Sequence, residues 1–268
     1  MKKIIALTLA LIMVATMFVA CGSKTADNGN DATAGTDNDN AASSMTLEAG
    51  KLIMSTNAEF PPYEMTDDNG EYIGIDVEIA TAIAEKLGLE LEIMDVDFDA
   101  ALLAVQEGKS DIVMAGVTVN DDRKLVMDFS DTYATGKQVI IVPENSDVTL
   151  DNLGEKMIGT QRATTGYIYA SDDYGEDHVT AYDNGATAVQ SLINGQVDCV
   201  IIDNAPAQEY VAANAGLKIL ETEYVIEDYA IGVNKGNTEL VEAINGALAA
   251  LTADGTVQAI LDKYISAE

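Results

Sequence analysis

Apolar residues recur along this chain in two alternating periods. Leu52–Met54 form a short apolar run that reads as a strand. Val77, Ala80, Ile83 and Leu87 follow at helical spacing, with Asp76 placed to cap the helix and Gly88 to stop it. Leu89, Leu91 and Ile93 then alternate as a strand does. Asp99 is expected to open a second helix through Leu102, Leu103 and Val105, closed by Gly108, and Asp111–Ala115 follows as a buried strand. Strands separated by helices of this length imply parallel pairing and an α/β fold.

The pattern then repeats. Gly108-Lys109-Ser110-Asp111 and the small or apolar residues after it match Gly195-Gln196-Val197-Asp198 and its continuation, each behind an amphipathic helix. Ile53-Met54-Ser55-Thr56-Asn57 likewise resembles Met157-Ile158-Gly159-Thr160-Gln161. Two matches in the same order favour two similarly built lobes. Open α/β sheets bind ligands beyond the carboxyl ends of their strands. Asn57 and Gly116 hold such ends in the first lobe, Gln161 and Asp203 in the second. Facing lobes would bring the four to one cleft.

Before the first strand the pattern is different. Lys2 and Lys3 precede an apolar run from Ile4 to Ala20, and Cys21 follows at once. This reads as a secretory signal over residues 1–20, with an uncleaved membrane anchor as the alternative. The small Ala20 before Cys21 favours a lipoprotein signal, cleaved so that a lipidated Cys21 becomes the new N-terminus. Residues 21–45, rich in Asn, Asp, Ala, Thr, Ser and Gly, are expected to be a disordered tether. Cys199 lies in an apolar run and is expected to be an inert buried thiol.

Composition mainly excludes. Hydrophobic residues make up 48%, enough for a substantial core. Lys and Arg number 14 against 45 Asp and Glu, for a net charge of −31, which argues against nucleic acid and anionic lipid as partners. One His and two Cys leave little for a metal site, and neither a metal nor another cofactor is expected. There is no G-x-S-x-G and no Walker-type loop, and His178 sits in an acidic stretch, so no catalytic residue is assigned.

Few residues remain that could recognise a small molecule. The only two arginines, Arg123 and Arg162, both follow strand ends. Arg123 either pairs locally with Asp121 or Asp122 or grips a carboxylate bidentately. Arg162 is either an exposed loop charge or a ligand contact. Thr164-Thr165-Gly166 begins a helix whose free N–H groups suit an anion, or is an ordinary cap. Asp203 ends a strand before Asn204-Ala205-Pro206 and can cap a helix or hold an ammonium group. Phe60 and Phe98 are two of four phenylalanines, with core packing as the alternative to a ligand role.

Three ordered blocks, Thr56–Glu64, Gly74–Glu78 and Ala115–Thr118, lead to Arg123-Lys124 and Asp128–Asp131. Gln161–Gly166, Val197–Asp203, Asn245–Leu248 and Asp254–Thr256 continue the set, which covers the chain from about residue 50 onward. Together these blocks resemble the polar amino-acid-binding proteins of ABC importers, the extracellular solute-binding proteins of family 3. The resemblance implies a two-lobed periplasmic-binding-protein-like α/β fold of type II, each lobe a mixed sheet flanked by helices, joined by two hinge strands. Lobe 1 would comprise 46–132 plus 230–268 and lobe 2 138–225, with crossings at 133–137 and 226–229. Arg123 would grip the ligand's α-carboxylate with Thr118 and Thr165. Asp203 would bind the α-ammonium with the Gly116 carbonyl and the Thr118 hydroxyl. Phe60 and Phe98 would cover the ligand side chain, and Asn57 and Gln161 would set selectivity. Their chemistry ranks polar neutral ligands such as glutamine or cystine first, cationic ones second and acidic ones third. Glu59 or Glu64 would favour a basic side chain and Arg162 an acidic one.

The implied partners are a free L-amino acid, an ABC permease with its ATPase, and the membrane, reached through lipidated Cys21. The protein would be a monomer, extracytoplasmic and anchored at the outer face of the cell membrane. An amino-acid sensor, or a cyclic-acid dehydratase built on the same fold, are the alternatives.

Overall fold

The computed structural model describes residues 45–220 and 224–265. The signal segment, Cys21 and the tether apart from Met45 lie outside those residues. The first lobe starts from Lys51–Thr56 (β1), which carries the chain into an antiparallel ribbon of Glu59–Phe60 (β2), Glu64–Thr66 (β3) and Tyr72–Ile73 (β4). Helix α1 (Ile75–Leu87) returns it to Glu90–Asp95 (β5), and α2 (Phe98–Gln106) to Ile112–Val113 (β6). β1 pairs with both in parallel, as the helical crossovers require.

The short α3 (Asp121–Val126) precedes the long strand β7 (Met127–Pro143), which runs into the second lobe. That lobe repeats the scheme with β8 (Ile158–Gln161), α4 (Thr165–Tyr174), β9 (Val179–Tyr182), α5 (Gly185–Ile193) and β10 (Cys199–Asp203). Then come α6 (Asn204–Ala213), β11 (Leu217–Ile219) and β12 (Val225–Asn234), which returns the chain to the first lobe and to α7 (Thr238–Ala253) and α8 (Thr256–Tyr264).

The sheet runs β5-β1-β6-β12-β7-β10-β8-β9, with β11 also on β7. Read outward from the centre, each half has one antiparallel strand, β12 or β7, followed by three parallel ones. The halves match strand for strand, which is the internal repeat seen in the sequence. β7 and β12 pair with each other along their length, with irregularities between Tyr229 and Gly232. The fold is the expected two-lobed α/β architecture with mixed sheets.

Both faces of each sheet are covered. Ile140 and Val142 share one core with Cys199 and Ile201, whereas Val139 and Ile141 share another with Val200 and Ile202. In the first lobe Ile112 and Met114 face a core with Leu52 and Ile83, while Val113 and Ala115 face Phe98 and Val105. Alternate residues of one strand thus enter opposite cores, which explains why these strands are apolar throughout. Each such aliphatic side chain, removed from water, contributes about 1.5–3 kcal/mol. Cys199 is fully buried, and burial pushes its thiol up to about 12, consistent with inertness.

Two helix starts differ from expectation. α1 begins at Ile75 with Gly74 at its cap, at φ 128°, where a Cβ would collide with the Tyr63 carbonyl. Asp76 therefore lies inside the first turn and caps nothing; it is fully buried. α2 begins at Phe98 after Asp97, so Asp99 is a first-turn residue rather than the opener.

Candidate functional site

Loops at the strand ends bring the two lobes together around a small cavity. Phe60, Phe98, Gly116, Thr118, Arg123 and Thr165 line it, joined by Gln138, Thr164 and Tyr229. Those walls leave about 20 Å³ between them, the room of roughly one water. That room is too small for an amino acid.

Arg123 is the centre of this site. Asn120 caps α3 by accepting from the Arg123 backbone at 2.8 Å, which fixes the residue on its helix. Its side chain is buried rather than paired with Asp121 or Asp122, and its guanidinium lies 5.6 Å from the Phe98 ring centre. It donates to the Thr118 carbonyl at 2.8 Å within its own lobe and to the Ala163 carbonyl at 3.1 Å across the cleft. Ala163 has φ 60°, the one positive φ outside glycine among the described residues. A turn held there costs an alanine about 1–2 kcal/mol. No carboxylate among the described residues forms an ion pair with Arg123. Burial pulls its pKa down, opposed by the charge of Glu227, and the group stays cationic. A buried guanidinium with spare N–H groups is a ready anion partner.

The facing helix supplies the rest of that wall. The Thr164 side chain accepts from the Tyr167 N–H at 3.2 Å and so caps α4. The Thr165 hydroxyl stands 3.5 Å from that of Thr118 across the cleft.

Asp203 ends β10 and takes the capping role its position suggested. It caps α6, accepting from the Ala205 N–H at 3.1 Å, and it accepts from the Tyr229 hydroxyl at 2.5 Å. Tyr229 forms part of the cavity wall, so Asp203 stands one hydrogen bond behind it. Asp203 also borders a wider cleft of about 380 Å³ on the hinge side, with Tyr63, Gly136 and Lys137. Burial pushes its carboxyl up to about 6, against the lowering effect of its donors, Tyr229 and the backbone of Ala205 and Lys137.

Asn57 and Gln161 meet, but not at the cavity wall. Gln161 donates to Asn57 at 2.9 Å across the lobes and to the Asp183 carbonyl at 3.2 Å, while Asn57 donates to the Val96 carbonyl at 3.1 Å. Glu59 makes a second cross-lobe link, accepting from Asn184 at 2.8 Å and from Tyr210 at 3.2 Å. Arg162 pairs with Asp183 at 2.7 Å and is half exposed. Glu64 is fully buried within the first lobe and does not reach the cavity. Sequence reasoning missed Gln138 and Tyr229 as wall residues, and named Thr164 only within the helix start Thr164-Thr165-Gly166. Of the two missed, only Tyr229 carried a signal, through the crossing expected at 226–229.

Residues 52–267 match the family model of bacterial extracellular solute-binding proteins, family 3. A probable histidine-binding protein of Neisseria gonorrhoeae is 33% identical over all of this chain and 97% of its own length. Two solved structures of an ancestral arginine-binding protein are also similar, each covered to 99% by 81% of this chain. The arginine-bound one is 41% identical with a TM-score of 0.76, and the glutamine-bound one is 40% identical with a TM-score of 0.77. The match across nearly the whole described chain, in sequence and in fold, makes this protein a member of the bacterial extracellular solute-binding proteins, family 3.

Proposed function

We propose that this protein captures a free L-amino acid between its lobes and delivers it to the permease of an ABC importer. The observation that carries the reading is Arg123, a buried cation in the cleft that forms no ion pair with any carboxylate among the described residues. The ligand α-carboxylate supplies that partner, with Thr118 and Thr165 beside it. Asp203 takes the α-ammonium, and Phe60 and Phe98 flank the side chain. A zwitterion buried with one partner for each charge avoids the heavy cost of an unpaired ion. Hinge closure about 133–137 and 226–229, between lobes at 46–132 plus 230–268 and 138–225, would bring the two partners together.

The ligand side chain is polar, neutral or cationic. Arg162, which would attract an acidic one, is already held by Asp183 and faces solvent. The names of the histidine- and arginine-binding relatives, and the glutamine in one of them, agree with that class. A lipidated Cys21 would hold the protein, as a monomer, at the outer face of the membrane. No helix among the described residues is long and apolar enough to cross it. Calorimetry with histidine, arginine, glutamine, cystine and glutamate tests the reading. One-to-one binding of a neutral or cationic ligand, recovered unchanged, supports it. No binding of any, or consumption of the ligand, overturns it.

A further inference from the structure

Behind the cleft wall two acids share a buried site that ligand contact does not explain. Glu64 on β3 and Asp76 on α1 are both fully buried, and the Asp76 N–H donates at 2.9 Å to the carbonyl of Tyr63, the residue before Glu64, which sets the two acids beside each other. Asp76 accepts from the backbone N–H of Gly116 at 2.9 Å and from the Tyr133 hydroxyl at 2.7 Å. Neither oxygen of Glu64 meets a donor among the described residues. Two carboxylates in contact cannot both stay ionised in a dry site. The donors decide which keeps the charge. Asp76 has two and is the anion; Glu64 has none and is the acid, its O–H directed to Asp76.

Burial raises both groups, but the donors to Asp76 hold it to about 6 while Glu64 goes well above the usual carboxylate range, the order this assignment requires. The other titratable groups facing the pair are Tyr63, Tyr133, Asp95 and, from α6 of the second lobe, Tyr210, and no cation is among those that shift either acid. The two donors belong to different parts of the machinery. Gly116 lines the cavity at φ 55°, where a Cβ would stand 3.0 Å from the Phe60 ring. Tyr133 lies on β7, next to Ala134, which pairs with Tyr229 of the opposite crossing strand.

We propose that Glu64 and Asp76 are a positioning pair for ligand binding, in which the proton on Glu64 keeps Asp76 aimed at Gly116 and Tyr133, so that losing this proton weakens the hold on the ligand. The inference rests on the amino-acid-binding reading above. Without the proton two buried anions repel each other, and Asp76 can move only by pulling on the cleft wall and the crossing strand.

Ligand affinity measured from about pH 6 to about pH 9, in wild type and in Glu64→Gln, tests this. The glutamine amide donates to Asp76 as the O–H does and cannot lose that donor. Wild-type affinity is expected to fall at least about tenfold more than that of Glu64→Gln as pH rises; the ligand's own titration is common to both. Infrared spectra of wild type should show a protonated carboxyl above the range where Asp203 titrates, and it should vanish over the same interval as affinity. Superimposed affinity profiles, or no protonated carboxyl at neutral pH, would overturn the inference. A wild type that binds no amino acid at any pH overturns the functional reading instead, and the infrared band still judges the proton on Glu64.

Discussion

The cavity and the seam beside it are both built from polar groups of the two lobes, yet they spend those groups differently. At the seam Gln161 bonds Asn57, and Glu59 takes Asn184 and Tyr210, so the lobes satisfy each other directly. In the cavity Arg123 reaches only two backbone carbonyls, and Thr118 and Thr165 stand at 3.5 Å. A satisfied seam favours closure but recognises nothing. On the proposed reading, the cavity recognises a ligand at the cost of holding a buried charge without a direct ion pair until one arrives. The two arginines show the same contrast, Arg123 buried without a direct ion pair among the described residues and Arg162 exposed in one.

The largest effect expected from breaking this contrast comes from Arg123→Ala. It should weaken binding at least about a thousandfold, or about 4 kcal/mol, by leaving the ligand carboxylate buried alone. A loss under about tenfold by calorimetry would place the anion site elsewhere.

Gly136→Ala comes next. A Cβ there would meet the Tyr229 hydroxyl at 2.5 Å and crowd the Asp203 carboxylate. Overpacking of this kind costs about 2 kcal/mol, so affinity should fall about thirtyfold with the fold retained.

A third effect follows from Asp203, whose carboxyl is pushed up to about 6. Below that pH it is neutral in the free protein and must lose its proton to hold an ammonium, so affinity should fall about fivefold between pH 6 and pH 5. For folding the sign is opposite. The stabilisation from the tightly held proton is complete below the unfolded value of about 4 and is lost as pH rises through about 6. Affinity that stays flat from neutral pH down to pH 5 would remove Asp203 from the ammonium site.

The smallest effects lie at the seam. Gln161→Ala deletes one cross-lobe bond and should lower affinity about fivefold, near 1 kcal/mol, while raising the radius of gyration of the free protein in X-ray scattering. Arg162→Ala, which loses only an exposed pair, should change affinity less than about twofold. Equal effects of these two variants would erase the distinction between seam and surface.

Much of this contrast was legible in the sequence. Apolar strands between amphipathic helices gave the α/β class, and the repeat of Ile53–Asn57 at Met157–Gln161 gave the matched lobes. Arg123 and Asp203 stood out because one is half of the arginine content and the other ends a buried strand. The pairing of Asn57 with Gln161 was hidden, since residues that each suit a ligand equally suit each other, and only closure brings them into reach. Gln138 was hidden inside β7, where alternation says which face it takes but not what that face meets. Asp76 was misread as a cap because the helical period allows Asp there. The close approach of Gly74 to Tyr63, where the cap of α1 sits two residues before Asp76, leaves no trace in the period.

The central claim is that Arg123 binds the α-carboxylate of an amino acid. The most direct test compares the tightest-binding amino acid with its decarboxylated amine, in wild type and in Arg123→Ala. The account predicts that wild type prefers the amino acid by about a thousandfold and that the variant loses nearly all of that preference. If the amine binds wild type as tightly as the amino acid does, or if the preference survives in Arg123→Ala, the claim is contradicted.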